Sequence, residues 1–230
     1  MHGPTDMHIL ERLLDDNQQL ALHNQEHFNE LGLLAVNLMS APGAGKTSLI
    51  AATAERLSDK VPIAVIEGDM VGELDAERLR SKNIPAYQIS TGRACHLDAQ
   101  MVAQLLHETE LPPCKILFLE NVGNLVCPAE FPLGEHLRVV LLSVTEGDDK
   151  PIKYPVIFHQ CDAVVLTKCD LIQHTNFSIE RAKEYISNLN DKVSYFTTST
   201  TTCDGLDKWC HWLTQHANST AKPLIVNSGG

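Results

Sequence analysis

After the first strand-like apolar run, the chain reads Ser40-Ala41-Pro42-Gly43-Ala44-Gly45-Lys46-Thr47-Ser48. It fits the phosphate-binding pattern G-x-x-x-x-G-K-[ST], except that Ser40 stands in place of the first glycine. Lys46 can place its charge between the β- and γ-phosphates, and the Thr47 hydroxyl can ligate Mg²⁺. The helix predicted directly afterwards offers its N-terminus to the same anion. A glycine-rich turn without a ligand is the alternative. We predict that a nucleotide is bound here, with Lys46 and Thr47 catalytic. The predicted phosphate-binding residues are Gly43, Ala44, Gly45, Lys46, Thr47 and Ser48.

Apolar runs of strand length recur along the chain and alternate with amphipathic segments of helix length. This alternation predicts an α/β fold with a mainly parallel, twisted sheet and helices on both faces. The runs are almost continuously apolar, as is typical of strands buried on both sides. The predicted strands are residues 33–39, 61–66, 116–119, 139–144, 163–166 and 193–196.

The length of the chain indicates one domain, because 230 residues suffice for one large α/β unit with little left over. Before the first strand, apolar residues at helical spacing predict a helix over residues 9–31 that Gly32 ends. Residues from about 219 to 230 read as a loose tail. We therefore assign residues 1–230 to a single P-loop domain, with a leading helix within residues 1–32.

Composition and charge argue against several kinds of partner. Lys and Arg number 18 against 29 Asp and Glu, a net charge of −11, so no nucleic-acid partner is expected. No apolar run approaches the roughly 20 residues of a membrane span. Residues 1–6 lack the basic and apolar start of a signal peptide, so we expect a cytoplasmic protein without a membrane partner. The seven scattered cysteines favour metal binding or burial over a disulfide framework.

The predicted strand at residues 163–166 leads into a base-recognition signature. Thr167, Lys168 and Asp170 occupy the pattern [NT]-K-x-D that GTPases place at such a strand end. The Asp170 carboxylate can accept hydrogen bonds from guanine N1–H and N2–H₂, which adenine does not offer in that arrangement. Thr167 replaces the commoner Asn, so the usual amide tie to the phosphate loop is not expected. We assign guanine recognition to Lys168 and Asp170, with Ser199 and Thr200 in the loop that closes over the base.

Acidic residues follow two strands where the phosphates would lie. Asp69 follows residues 61–66, Asp75 lies just beyond, and Glu120 ends the run at 116–119. Carboxylates there can hold Mg²⁺ or its waters, or position the attacking water, whereas a helix cap or a solvated charge is the ordinary alternative. Residues 120–123 resemble the Asp-x-x-Gly switch of GTPases, so the Gly123 N–H can sense the γ-phosphate. We predict Asp69 and Glu120 as catalytic, and Thr47, Asp75 and Glu120 as Mg²⁺ ligands.

Two short segments carry candidate ligands for a transition metal. Cys95 and His96 stand together at the start of a helix-like segment, and Cys127 lies just past residues 120–123. Thiolate and imidazole suit Zn²⁺ and Ni²⁺. Neighbouring residues can bind one ion only from irregular backbone, because on a strand they point apart. From spacing alone, burial in the core is an open alternative. The other cysteines are interpreted as structural: Cys114, Cys161, Cys169, Cys203 and Cys210.

Four segments of the chain together resemble the HypB family of hydrogenase nickel-incorporation GTPases, within a likeness that covers roughly residues 14–213. They are residues 37–47, 67–75, 94–99 and 120–128, and the most specific parts are Cys95-His96-Leu97-Asp98 and Asn124-Leu125-Val126-Cys127-Pro128. The resemblance implies a SIMIBI-type GTPase that uses Mg²⁺ with GTP or GDP and forms a homodimer. It also implies Zn²⁺ or Ni²⁺ on Cys95, His96 and Cys127 at the dimer interface. The implied function is nickel insertion into [NiFe]-hydrogenase, with the zinc protein HypA and the hydrogenase large subunit as partners.

The resemblance also has limits. The related urease accessory GTPase UreG carries Cys-Pro-His, which is absent here. The chain also has no Cys-x-x-Cys nickel motif near its N-terminus and no long histidine tract, so a nickel-storage role is not expected. In HypB relatives a lysine of the segment at 146–153 reaches the partner subunit's nucleotide, which assigns that role to Lys153. The alternative is that Lys150 and Lys153 are solvated surface lysines.

Two further functions stay open on the residues alone. A small nucleotide or metabolite kinase would use the same loop, but it needs an acceptor pocket and an Arg-rich lid that the sequence does not show. A metal-storing or sensing module would carry a His- or Cys-rich tract.

Because Cys127 lies only a few residues beyond Gly123, we also predict that the γ-phosphate changes the geometry of the metal site.

Overall fold

The structure is a computed structural model that describes residues 4–57, 60–70 and 72–220, with side chains from residue 11 onward. The strands within these ranges are β1 (Leu34–Ser40), β2 (Ile63–Asp69), β3 (Ala86–Ser90), β4 (Ile116–Glu120), β5 (Leu137–Ser143), β6 (Ala163–Thr167) and β7 (Ser194–Thr197). They form one sheet in the order β3-β2-β4-β1-β5-β6-β7, and all neighbouring strands are parallel. The predicted α/β fold with a parallel sheet is confirmed.

Helices cover both faces of the sheet, as predicted. They are α1 (Pro4–Leu31), α2 (Lys46–Leu57), α3 (Leu74–Arg80), α4 (Ala99–Glu108), α5 (Cys127–Glu130), α6 (Lys150–Lys153), α7 (Pro155–His159), α8 (Ile179–Leu189) and α9 (Leu206–Thr220). Side chains alternate between the two faces of a strand, so alternate residues of β1 belong to different parts of the core. On one face, Val36 and Leu38 pack with α2, α3 and α9. Ala35 packs with α1 and α4, and Met39 packs with α7 and α8.

The sequence prediction missed β3, which forms one edge of the sheet beside β2. Its residues mix polar and apolar types and are only partly buried, because an edge strand has a neighbour on one side alone. A search for continuous apolar runs therefore passes over it. The same pairing carries β2 through Glu67 and Gly68, so Asp69 is the last residue of that strand and does not follow it.

The two ends of the chain agree with the prediction in part. Gly32 ends α1 in the left-handed region, with φ of 67°. At the other end, α9 includes Ser219 and Thr220, because its buried face continues through Ala217, so the predicted loose tail does not begin at residue 219. Residues 1–3 and 221–230 lie outside the described residues. Among the helices that the structure describes, none is long and apolar enough to cross a membrane.

The carboxyl ends of parallel strands lie along one edge of the sheet, and this edge carries the predicted site residues. β1 ends at Ser40, β2 at Asp69, β4 at Glu120 and β6 at Thr167. The phosphate loop, the acidic residues and the base signature are therefore brought together by topology, at the edge where open α/β sheets bind their ligands.

Gly68 brings the segment that precedes α4 against this edge. A Cβ built on Gly68 would lie 2.5 Å from Leu97 Cγ, far inside any normal contact. Leu97 is fully buried and follows Cys95 and His96 directly. The missing side chain on β2 thus allows the predicted metal-binding segment to pack directly on the sheet.

Candidate functional site

The phosphate loop connects β1 to α2 and is wrapped around an open space. Gly43 and Gly45 have φ values of 74° and 101°, in the region that favours glycine, and a Cβ on either would meet nothing within 4 Å. Lys46 Nζ donates to Ser40 Oγ at 3.3 Å, and Ser40 Oγ donates to the Ala41 carbonyl at 2.7 Å. The serine that replaces the usual glycine therefore holds the lysine inside the loop.

Thr47 and Glu120, two of the predicted Mg²⁺ ligands, are in direct contact. Thr47 Oγ1 donates to Glu120 Oε1 at 2.7 Å. Glu120 is 4% exposed, and its Oε2 has no hydrogen-bond partner among the described residues. Burial raises the pKa of Glu120 to about 7, although Lys46 and the Thr47 hydroxyl oppose the shift. A buried carboxylate oxygen without a partner beside a hydroxyl fits the oxygen ligands that Mg²⁺ prefers.

Glu67 is a site residue that the sequence reasoning missed. It lies opposite Glu120 in the register of β2 and β4, is 3% exposed, and its Oε2 also lacks a partner among the described residues. Burial raises its pKa to about 8, and the charges of Glu120 and Asp69 add to the shift. The signal in the sequence was a carboxylate directly after a run of apolar strand residues, which burial would leave without water.

Asp69 and Asp75 extend this acidic group toward solvent. Asp69 is half-buried, and its Oδ1 accepts a hydrogen bond from the Met70 N–H at 2.6 Å. Asp75 lies in the first turn of α3 and raises the pKa of both Glu67 and Glu120 through its charge. The structure thus places Asp75 near the carboxylates but brings only Thr47 and Glu120 into contact.

The base signature is tied to the phosphate loop by two hydrogen bonds. Thr167 Oγ1 donates to the Ala44 carbonyl at 2.7 Å, and Lys168 Nζ donates to the Gly43 carbonyl at 2.7 Å. Thr167 carries no amide, and its hydroxyl supplies a hydrogen bond to the loop in place of the usual amide tie. Lys168 has φ of 57°, and this left-handed residue turns the chain into a 3-10 helix (Cys169–His174) that carries Asp170.

The loop after β7 lies beside this signature. The Cys169 N–H donates to the Thr198 carbonyl at 3.1 Å, which joins the two loops. Ser199 is buried, and its Oγ accepts hydrogen bonds from the N–H groups of Thr201 and Thr202 at 3.2 and 3.1 Å. Thr200 is exposed. Ser199 therefore shapes the loop, and Thr200 stands at its surface.

Cys95, His96 and Cys127 come together although two of them lie far from the third in sequence. Their ligand atoms all lie within 4.8 Å of one another. Cys95 Sγ lies 2.9 Å from Cys127 Sγ and 3.8 Å from His96 Nδ1. Cys95 and His96 belong to the irregular backbone before α4, as predicted, and Cys127 begins α5. Ligand atoms around one tetrahedral Zn²⁺ lie roughly 3.8 Å apart, so small shifts would fit the three to one ion.

The imidazole and the thiols of this cluster differ in how readily they can bind a metal. Burial lowers the pKa of His96, which keeps the imidazole neutral, and the ring lies against Phe131 with centroids 4.1 Å apart and the ring planes tilted by 35°. The hydrogen bond with Cys127 raises the pKa of the Cys95 thiol, and burial adds to this shift. Both cysteines are free thiols, so a metal would replace their protons on binding.

Residues 121–127 connect the metal cluster to the phosphate loop. Asn124 Nδ2 donates to the Cys95 carbonyl at 3.2 Å, and Asn121 Oδ1 accepts from the Leu97 N–H at 3.0 Å. At the other side, a Cβ on Gly123 would lie 2.8 Å from Pro42 Cα. The predicted switch segment therefore touches both sites.

Lys153 and Lys150 lie on α6, near the same edge. Lys153 Nζ pairs with Asp149 Oδ2 at 2.6 Å, and Lys150 Nζ lies 3.9 Å from Glu146 Oε2. Lys153 is 60% exposed, whereas Lys150 is 22% exposed. Of the two, Lys153 is the one that extends away from the domain.

The fold and the site define a class. A phosphate loop between the central strand and its helix, a buried glutamate on the loop threonine, and a Thr-Lys-x-Asp signature make this a P-loop nucleotide-binding protein of the GTPase kind.

Comparison with known proteins identifies the family within that class. Residues 34–197 match the family described as CobW/HypB/UreG, nucleotide-binding domain. The chain is 46% identical over 201 residues to the hydrogenase maturation factor HypB of Escherichia coli (strain K12), covering 87% of this chain and 69% of that protein. The crystal structure of HypB from Helicobacter pylori in complex with nickel matches with a TM-score of 0.84 at 37% identity, covering 91% of this chain and 98% of that one. HypB from Archaeoglobus fulgidus matches with a TM-score of 0.82 at 40% identity, covering 89% and 100%. The chain belongs to the CobW/HypB/UreG family, and the predicted resemblance to HypB is confirmed.

Proposed function

We propose that the chain is a GTP-hydrolysing metallochaperone that binds nickel or zinc and assists nickel insertion during [NiFe]-hydrogenase maturation. The observation that carries this proposal is the cluster of two thiols and one imidazole that residues 121–127 join to the phosphate loop. The relatives support the choice of cargo, since they are described as hydrogenase maturation factors and one was crystallised with nickel.

In the proposed reaction, the residues of the phosphate loop bind and orient GTP. Lys46 balances the charge of the β- and γ-phosphates, while Lys168 and Asp170 hold guanine beneath the loop of Ser199 and Thr200. The Gly123 N–H senses the γ-phosphate.

The acidic residues of the edge would serve the metal ion and the attacking water. Thr47, Asp75 and Glu120 would hold Mg²⁺, which would supply positive charge against the phosphates. Glu67 and Asp69 border the same space and are suited to orient the attacking water. The orphaned Oε2 atoms of Glu67 and Glu120 support this assignment.

Cys95, His96 and Cys127 supply three ligands from one chain, one fewer than a closed tetrahedral zinc site needs. A water molecule or a residue of a second subunit would complete the coordination. An incomplete site exchanges its ion more readily than a sealed structural site, which suits a protein that passes its metal on.

The surface around Cys127 supports a homodimer. Val126, Ile152 and Val156 are 57%, 56% and 48% exposed, and they lie on or beside the short helices α5, α6 and α7, which pack together. Exposed apolar residues grouped next to metal ligands fit an interface better than a solvated surface. We assign Lys153 to the nucleotide of the partner subunit across this interface. HypA and the hydrogenase large subunit are the proposed partners.

The test combines three measurements on the full-length chain: GTP turnover, nickel affinity, and activation of a [NiFe]-hydrogenase in an extract that lacks its own maturation GTPase. Cys127→Ala should lose nickel affinity and hydrogenase activation while it still binds GTP. Lys46→Ala should lose turnover and activation while it still binds nickel. Cys114→Ala, a half-buried cysteine outside the cluster, is the matched control and should keep all three.

Two outcomes would overturn parts of the proposal. Normal hydrogenase activation by Cys127→Ala would remove the metal-delivery role. Normal turnover by Lys46→Ala would show that GTP is hydrolysed elsewhere.

A further inference from the structure

Helix α1 presents two buried asparagines to the domain on a single face. Asn17, Ala21, Asn24 and Phe28 follow the spacing of one helical stripe and are 6%, 3%, 1% and 0% exposed. Ala21 and Phe28 are ordinary core residues, but a buried amide needs hydrogen-bond partners to offset its loss of water. The hydrogen-bond partners of Asn17 and Asn24 show which segments of the domain this face of α1 binds.

Each asparagine bridges the same two segments of the domain. Asn17 Oδ1 accepts from the Ala99 N–H at 2.9 Å, and Asn17 Nδ2 donates to the Pro132 carbonyl at 2.9 Å. Asn24 Nδ2 donates both of its hydrogens, to the Ala99 carbonyl at 2.9 Å and to the Leu133 carbonyl at 3.0 Å. We call these two residues the asparagine clamp.

The segment that contains Pro132 and Leu133 lies very close to α1. Gly134 has φ of 98°, and a Cβ there would lie 2.5 Å from the Ala21 carbonyl oxygen and 2.7 Å from Asn24 Cβ. A larger residue at 134 would push the segment of Pro132 and Leu133 away from α1. The backbone has therefore been brought as near to the helix as it can come.

The two clamped segments are the ones that carry the metal ligands. Ala99 starts α4 directly after Cys95-His96-Leu97-Asp98, and its N–H is one of the donors at a helix start that need a partner. Pro132 and Leu133 follow α5, which begins at Cys127. Phe131, next to Pro132, contacts the His96 ring in a tilted arrangement. Holding Ala99 and Pro132 together thus holds the Cys95-His96 segment against the Cys127 segment.

We propose that Asn17 and Asn24 are positioning residues of the metal site, and that α1 sets its affinity by fixing the distance between its two ligand segments. The inference rests on the proposed function to the extent that Cys95, His96 and Cys127 bind a metal. Neither asparagine is a ligand. Without the clamp, part of the free energy of metal binding is used to bring the two ligand segments together, so the ion is bound more weakly. Nucleotide affinity should not change, because the side-chain hydrogen bonds of both asparagines go to Ala99, Pro132 and Leu133, all outside the phosphate loop.

The expected size follows from other metal sites, where losing a residue that orients a ligand typically lowers affinity by roughly 10- to 100-fold. Asn17→Ala should fall in this range. Asn17→Asp retains the acceptor for the Ala99 N–H but sets a carboxylate oxygen against the Pro132 carbonyl, so it should weaken metal binding at least as much as Asn17→Ala.

The experiment measures Ni²⁺ and Co²⁺ affinity of the full chain by chelator competition, together with affinity for a GTP analogue. Asn190→Ala is the matched control, because Asn190 Nδ2 likewise bridges two backbone carbonyls, of His159 and Cys161, in another part of the fold. The thiolate-to-cobalt charge-transfer band gives a second readout, since its intensity follows the number of bound thiolates. A merely destabilised protein would not lose it.

The expected result is that Asn17→Ala and Asn24→Ala bind both metals at least roughly tenfold more weakly, with a weaker charge-transfer band and unchanged nucleotide affinity. Asn190→Ala should bind metal as the wild type does. Wild-type metal affinity in Asn17→Ala and in Asn17→Asp would overturn the clamp. If Cys95→Ala and Cys127→Ala bind metal as tightly as the wild-type protein does, the proposed metal site itself is wrong. This outcome is distinct from a failure of the clamp alone.

Discussion

Replacing Gly123 by alanine should separate the two forms of the nucleotide. The new Cβ would lie 2.8 Å from Pro42 Cα and 3.0 Å from Pro42 N, both backbone-side atoms of the phosphate loop that cannot rotate away. Carbon atoms in contact prefer about 3.5–4.0 Å, so the switch segment must retreat by roughly 0.7 Å or more. Overpacking of this kind costs about 1–3 kcal/mol. If GTP requires the close approach of Gly123, Gly123→Ala should bind a GTP analogue roughly 5- to 150-fold more weakly.

GDP lacks the γ-phosphate, so its affinity for Gly123→Ala should change little. Titration calorimetry with GDP and with a non-hydrolysable GTP analogue measures both values on one preparation. Gly72→Ala is the control, because a Cβ there meets its nearest atom at an ordinary 3.6 Å and no positive φ is involved. Equal losses for both nucleotides would show that Gly123 shapes the loop and does not sense the γ-phosphate.

Three further predictions concern single side chains. Asp170→Asn should weaken GTP binding and shift preference toward xanthosine nucleotides, whose exocyclic oxygen suits an amide donor; a competition assay that still favours GTP would contradict the base assignment. Thr167→Val strips the Ala44 carbonyl of its buried donor, which should cost about 1–3 kcal/mol in free energy of unfolding and weaken GTP binding, as chemical denaturation and titration can check. Burial raises the pKa of Glu67 from 4.5 to about 8, so its contribution to stability is complete below about pH 4.5 and is lost as the pH rises through 8. Without Mg²⁺, the free energy of unfolding of wild type should therefore fall more steeply over this interval than that of Glu67→Gln, and parallel curves would refute the shift.

The core of the fold was predictable because its strands are buried on both faces and read as continuous apolar runs. β3 escaped the prediction because its place at the sheet edge leaves polar residues in the strand. The phosphate loop and the base signature are local patterns, and their neighbours along the sheet edge follow from parallel topology. Glu67 was missed because its position after an apolar run indicates burial but not direction, and the register with Glu120 shows that it faces the same space.

Contacts between distant segments were beyond sequence reasoning. Cys95 and Cys127 could be named as candidates, but their approach depends on Gly68, Asn121 and Asn17, none of which carries a ligand signal. An asparagine on a helix ordinarily reads as a solvated residue. Only the folded structure shows that the amides of α1 have backbone partners in two other segments.

The place of β4 in the sheet decides which part of the molecule can respond to nucleotide. Hydrogen-bonded neighbours flank it on both sides, with Leu38 and Glu67 at the level of Glu120, so the strand end is a fixed anchor. Any movement that follows the nucleotide must therefore come from residues 121–127, which extend beyond the strand and end at Cys127. The Cys95 and His96 segment is held from two sides, because Leu97 packs against Gly68 of β2 while Asn121 and Asn124 hydrogen-bond the Leu97 N–H and the Cys95 carbonyl. A nucleotide-driven movement of residues 121–127 would then shift the Cys127 sulfur and strain the hydrogen bonds to the Cys95 segment together, so that the metal site would loosen while the domain stays closed.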